Sequence, residues 1–171
     1  MNVLWFERDG DGRFQPPAEY RSSSVSMTGT HDLATVAGWW KGRDIEWAWE
    51  LGRSGAGSKS DDLRDRDRDR RQLWTAMQQS GAAQGLCPAD WDRDPVVDAA
   101  AAHIGTASGE LVILPLEDLI GLEEQPNLPG TTDEHPNWRR RLPASVPELL
   151  ARPQIATRAR RIGEARKGTV A

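Results

Sequence analysis

The pair His31-Asp32 follows the run Ser24-Val25-Ser26-Met27-Thr28 after only Gly29 and Thr30. A carboxylate and an imidazole just past a strand stand where parallel sheets flanked by helices assemble their sites. The carboxylate could stabilise an oxocarbenium-like transition state or hold sugar hydroxyls, and the imidazole could donate to a further hydroxyl. The plain alternative for Asp32 is a helix N-cap, a common use of Asp at that place. A second cluster lies far down the chain, where Gln125, Asn127, His135, Asn137 and Trp138 flank Pro129 and Gly130. Amide donors and acceptors beside an indole face suit a polyol, and the glycine and prolines fix backbone shape. The three histidines lack ligand spacing such as i,i+4, so no metal is expected, and Cys87 has no cue to a catalytic base. Phosphate-loop, dinucleotide and G-x-S-x-G signatures are absent.

Apolar patterning predicts the elements that must position these groups. Strands are expected at 3–7, 24–28 and 110–116, the last a near-continuous apolar run that predicts burial on both faces. The first starts almost at residue one, without the usual polar lead-in, and runs into the turn signature Asp9-Gly10-Asp11-Gly12, so the chain reads as one entered in mid-fold. Helices are expected at 33–40, 45–51, from Ser60 as N-cap through about Gln79, and at 96–104. Residues 52–60 read as a flexible insertion, and the sign-alternating run 64–71 as a solvated helix face pairing Asp65 with Arg68. Three strands separated by helices imply right-handed crossovers. The stretch 117–143 is too long and polar for a mere connector, and 146–167 reads as short helices with a frayed basic end.

Composition narrows the classes further. With 22 basic against 26 acidic residues the net charge is -4, without the basic excess that nucleic acid demands. No run approaches the roughly 18 apolar residues of a membrane span. One cysteine, and a start without a basic leader, point to a reducing, cytoplasmic setting. Eight tryptophans against one tyrosine and two phenylalanines are unusual. Indoles serve equally as core fillers and as platforms for sugar rings, so composition leaves both uses open.

Two long strings carry a family resemblance. Thr28-Gly29-Thr30-His31-Asp32, continued by Thr35-Val36-Ala37-Gly38-Trp39-Trp40, resembles the T-G-T-H-D...T-x-x-G-W-W stretch of the 4-alpha-glucanotransferases, the amylomaltases. Pro115-Leu116-Glu117-Asp118-Leu119-Ile120-Gly121, Gln125-Pro126-Asn127-Leu128-Pro129-Gly130-Thr131 and Pro136-Asn137-Trp138-Arg139-Arg140-Arg141 resemble that family's closing motifs. The resemblance spans most of 1–145 and is thin over 52–110. It implies an α/β fold, about the last three β/α units of a (β/α)8 barrel of the α-amylase clan, with C-terminal helices over 146–171. A complete barrel takes about 250 residues, more than the 171 present.

The resemblance further implies transfer of α-1,4-glucan segments between malto-oligosaccharides by a retaining double displacement, with no cofactor and no metal. Asp32 carries over as the catalytic stabiliser of the distorted sugar, and His31, Asn127, Pro129, Gly130, Asn137 and Trp138 as substrate-binding residues. The family's nucleophile and acid/base follow its fourth and fifth strands, whereas the three strands here match its sixth to eighth. Both groups are therefore expected upstream, in a missing N-terminal part that would be this chain's partner. The chain alone is expected to be inactive, and to fold poorly or self-associate through open barrel edges. The alternative is a non-catalytic α-glucan-binding or interaction module.

Overall fold

In a computed structural model, which describes residues 1–169, three short strands form one parallel sheet in the order β1 (Asn2–Val3), β2 (Val25–Met27), β3 (Leu111–Ile113). Around it lie a 3-10 turn at Pro17–Glu19 and the helices α1 (Val36–Lys41), α2 (Arg43–Glu50), α3 (Lys59–Gln79) and α4 (Asp94–Gly105). After β3 come α5 (Leu116–Ile120), α6 (Val146–Leu150) and α7 (Pro153–Thr169). The first strand is shorter than 3–7 because the Phe6 N–H donates back to the Val3 carbonyl at 2.9 Å and turns the chain. The third stops at Ile113 because Pro115, which has no N–H for a ladder, begins α5. No helix among the described residues is long and apolar enough to cross a membrane.

Burial of the third strand departs from expectation. Leu111 and Ile113 are 60% and 50% exposed, while Val112 packs with Leu114 on Tyr20, Ile104 and Ala107. Register pairs Val25 with Leu111 and Met27 with Ile113, so these four share one face. Among the described residues, helices cover only the other face, and the continuous apolar run serves one covered side and one open side.

The core sits where α1, α3 and α4 meet, around Trp40, Leu73, Met77, Val96 and Val97. The tryptophans divide between interior and surface. Trp39, Trp40 and Trp74 are buried, Trp5 stacks on Trp39 at 4.7 Å, and Trp91 and Trp138 stand exposed.

Two helices correct the sequence reading. Ser58, not Ser60, caps α3, exchanging hydrogen bonds with Asp61 in a capping box. The alternating charges are only partly solvated. Asp65 and Arg68 pair at 3.0 Å on the outside, but Arg66 and Arg70, one helical turn apart, face inward. Arg66 forks onto Asp44 at 2.6 and 2.8 Å, and Arg70 Nε donates to the Trp40 carbonyl at 2.5 Å, satisfying an end group of α1. In the tail α6 is short, as expected, but α7 runs as a single helix of 17 residues. It docks on α4 where Gly105 admits Ala165, and its buried Arg158 donates to Asp98 at 2.7 Å and to the Leu119 carbonyl at 2.5 Å. The expectation of helices through residue 171 reaches beyond the described residues.

Candidate functional site

The loop after β2 is held by its neighbours. Thr35 caps α1, its hydroxyl accepting the Gly38 N–H at 3.0 Å and donating to the Leu122 carbonyl at 2.6 Å. Gly38 is a necessity there, since a Cβ would lie 2.1 Å from the Glu123 carbonyl oxygen. This close seam brings the segment after α5 against α1 and delivers Gln125 and Asn127 to the loop.

Asp32 therefore is not an N-cap, and its carboxylate is exposed. Asn127 Nδ2 donates to Asp32 Oδ1 at 2.6 Å, and His31 Nε2 lies 3.4 Å from Oδ2. The Asn127 N–H donates to the His31 carbonyl at 3.2 Å, and Gln125 Nε2 reaches the Asp32 carbonyl at 3.3 Å. The Trp138 ring sits 5.2 Å from the His31 ring and is 65% exposed. Trp138 also has φ of 59°, a left-handed backbone that a bulky residue rarely adopts. Its N–H donates to the Pro126 carbonyl at 3.0 Å, which holds the indole over the cleft.

Four of the seven expected residues thus come together: His31, Asp32, Asn127 and Trp138. The other three are otherwise engaged. Asn137 has a full set of partners within its own loop: its Oδ1 accepts from the Leu128 N–H at 2.8 Å and His135 Nδ1 at 2.7 Å, and its Nδ2 donates to Thr131 Oγ1 and O. An amide so saturated has no bond left for a ligand, so Asn137 organises the loop. The Pro129 and Gly130 carbonyls accept from the guanidinium of Arg53, which projects from the 52–60 segment.

Local sequence patterns did not single out two carboxylates beneath this surface. Glu124 accepts from Arg43 Nε at 2.6 Å and Trp47 Nε1 at 3.0 Å, with Arg140 at 3.5 Å. Burial tends to raise its pKa, but Trp47 and Arg43 outweigh that and hold it below the usual carboxylate range. Asp118 is pushed up to about 6 by burial, against the lowering effect of hydrogen bonds from Thr28 and the Val36 N–H. Their partners lie about 80 to 90 residues away in sequence, so no local spacing signals them. Both carboxylates line a cavity of about 290 Å³ with His31, Trp138 and Arg140. Among the described residues no three His, Cys, Asp or Glu side chains converge as a metal would require.

Fold and site together define an α/β protein with an indole-faced polar cleft at the C-terminal end of a parallel sheet. A family model described as 4-alpha-glucanotransferase matches residues 1–146, and the chain belongs to that family. It is 32% identical over 156 residues to a 4-alpha-glucanotransferase of Mycobacterium tuberculosis, covering 87% of this chain and 21% of the relative. A 4-alpha-glucanotransferase of Haemophilus influenzae is 23% identical over 163 residues, covering 91% of this chain and 23% of that protein. The chain thus spans about a fifth of the length of the curated relatives it matches. The fold matches the crystal structure of amylomaltase from Corynebacterium glutamicum with a TM-score of 0.80 at 21% identity, over 96% of this chain and 25% of that one.

Proposed function

We propose that this chain is the C-terminal part of a 4-alpha-glucanotransferase, its strands forming about the last three β/α units of a (β/α)8 barrel. The whole enzyme transfers α-1,4-glucan segments between malto-oligosaccharides with retention. A nucleophile and an acid/base from the remaining barrel make and break the covalent glycosyl intermediate, so this chain alone is inactive. Asp32 places its negative charge beside the developing oxocarbenium and takes sugar hydroxyls. His31 and Asn127 hold that carboxylate and offer further donors, and Trp138 gives a stacking face that favours a sugar acceptor over water. Pro129, Gly130 and Asn137 shape the loop that carries these groups. No cofactor enters this chemistry, and the lone Cys87 fits a reducing, cytoplasmic setting.

The observation that carries the reading is the exposed Asp32 carboxylate, held at 2.6 Å by Asn127 and flanked by the His31 and Trp138 rings. Disproportionation of maltotriose, read as glucose release, tests it with and without a separately expressed N-terminal segment of a matching enzyme. Activity only on mixing is expected. Activity of the chain alone would overturn the assignment of nucleophile and acid/base to the missing part.

A second reading, an α-glucan-binding module without catalysis, is favoured by the left-handed, exposed Trp138. Under it, titration with millimolar maltoheptaose gives heat while mixing gives no transfer.

A further inference from the structure

The loop that carries His31 and Asp32 leaves β2 at Thr28 and enters α1 at Val36, and one side chain grips both ends. Asp118 of α5 is 3% exposed. One of its oxygens accepts the Thr28 hydroxyl, and the other accepts the Val36 N–H at 2.7 Å. Thr28 is wholly buried and Val36 nearly so, so neither end can turn to water instead. No ion pair to Asp118 occurs among the described residues. A buried carboxylate without a cation is costly, and an apolar side chain of similar size would often serve stability as well or better. What the carboxyl supplies that an apolar group cannot is two acceptors at a set separation, and both are spent on this one loop.

Asp118 is itself well anchored. Its helix starts at Pro115 directly after β3 and ends at Gly121, whose left-handed backbone lets its N–H donate to the Asp118 carbonyl at 3.1 Å. It also borders the cavity that His31 and Trp138 line. We propose that Asp118 is a positioning residue for His31 and Asp32, fixing where their loop leaves the sheet and where it joins the helix. The inference rests on the reading of that pair as the sugar-facing one, and it assigns the side chain that sets their height over the cleft.

The test compares the 171-residue chain with its Asp118→Ala, Asp118→Asn and Thr28→Val variants by amide hydrogen exchange and by the NMR resonances of the loop. In the unaltered chain the Val36 amide is expected to be protected, since it is buried and bonded to Asp118. Asp118→Ala is expected to speed its exchange by about tenfold or more. The same variant moves the His31 and Asp32 amide signals and the Asn127 side-chain amide pair. Asp118→Asn is expected to restore all three, because its oxygen can accept the Val36 N–H while its amide donates to a reoriented Thr28 hydroxyl. A purely structural role would instead accelerate exchange in α4 and at Val36 alike. Unmoved His31, Asp32 and Asn127 signals in Asp118→Ala, or free exchange at Val36 in the unaltered chain, overturn the proposal. Should Asp118→Ala not fold, Thr28→Val decides by the same loop signals, since it releases one end only. The mixed maltotriose assay separates the two readings: a loop displaced in Asp118→Ala, with no transfer even when the unaltered chain is mixed with the N-terminal segment, would refute the transferase reading and leave the positioning role standing.

Discussion

The two faces of the three-stranded sheet are built by opposite rules. On the covered face Val112 meets Ile104, and beyond it α4 is locked to α7 by the buried Arg158 and its bond to Asp98. On the open face Leu111 and Ile113 stand half exposed beside Val25 and Met27, among residues that a layer of helices would normally cover. The cleft at the strand ends belongs with the open side: its groups are polar, partly exposed, and joined over sequence separations of up to 95 residues. The contrast teaches that the covered side supplies stability from within this chain. The open side leaves apolar side chains and polar groups uncovered among the described residues.

The largest expected effect falls on the cleft. Asp32→Asn should lower transfer in the mixed assay by about 10² to 10³-fold, the scale of losing one preorganised electrostatic group. Its melting temperature should stay within a degree or two, because Asp32 is exposed. A large fall in melting temperature would mean that the cleft is structural and would erase the contrast.

The faces can then be compared directly. Ile104→Ala removes a fully buried side chain and should cost about 2–5 kcal/mol in urea unfolding. Ile113→Ser, at a half-exposed position, should change stability by about 0.5 kcal/mol or less and weaken self-association in sedimentation. Equal losses of stability from both would show that the open face is covered after all.

The smallest effects are in pH dependence, and they oppose each other. Beneath the cleft, Asp118 is raised from its usual 3.8 to about 6 by burial, so between these values the folded chain holds a proton that the unfolded chain has released. Stability from this group is present at low pH and is lost as pH rises through about 4 to 6. In the helical layer, His103 is lowered from 6.5 to about 4 by burial, and there the unfolded chain binds the extra proton. Stability from His103 is therefore gained as pH rises through about 4 to 6.5. Urea unfolding over this range should show a shallow net slope. Asp118→Asn should uncover a rise with pH and His103→Gln a fall, and the reverse signs would refute both burial assignments.

Much of this was legible in the residues. The Ser24–Thr28 alternation and the apolar run from Glu110 placed two strands to within a few residues, and the strings around His31-Asp32 and Pro136-Asn137-Trp138 marked the family. The N-cap of α3 was misplaced by two residues, because Ser58 and Ser60 both stand within reach of acidic neighbours and only backbone geometry selects between them. Asn127 and Trp138 could be chosen as a donor and an aromatic face, but not Asn137 as a loop brace, since saturation of an amide depends on four partners in space.

The sequence by itself determined the local terms: which segments are apolar at strand or helix period, where proline and glycine break them, and which residue types stand ready near a strand end. Only the tertiary structure decided which carboxylate is free and which is buried. Asp32 and Asp118 have the same side chain, yet one is open to solvent and the other lies under the loop with its pKa raised. That difference arises from desolvation and from partners brought together across the chain, and neither quantity is a property of neighbours in sequence.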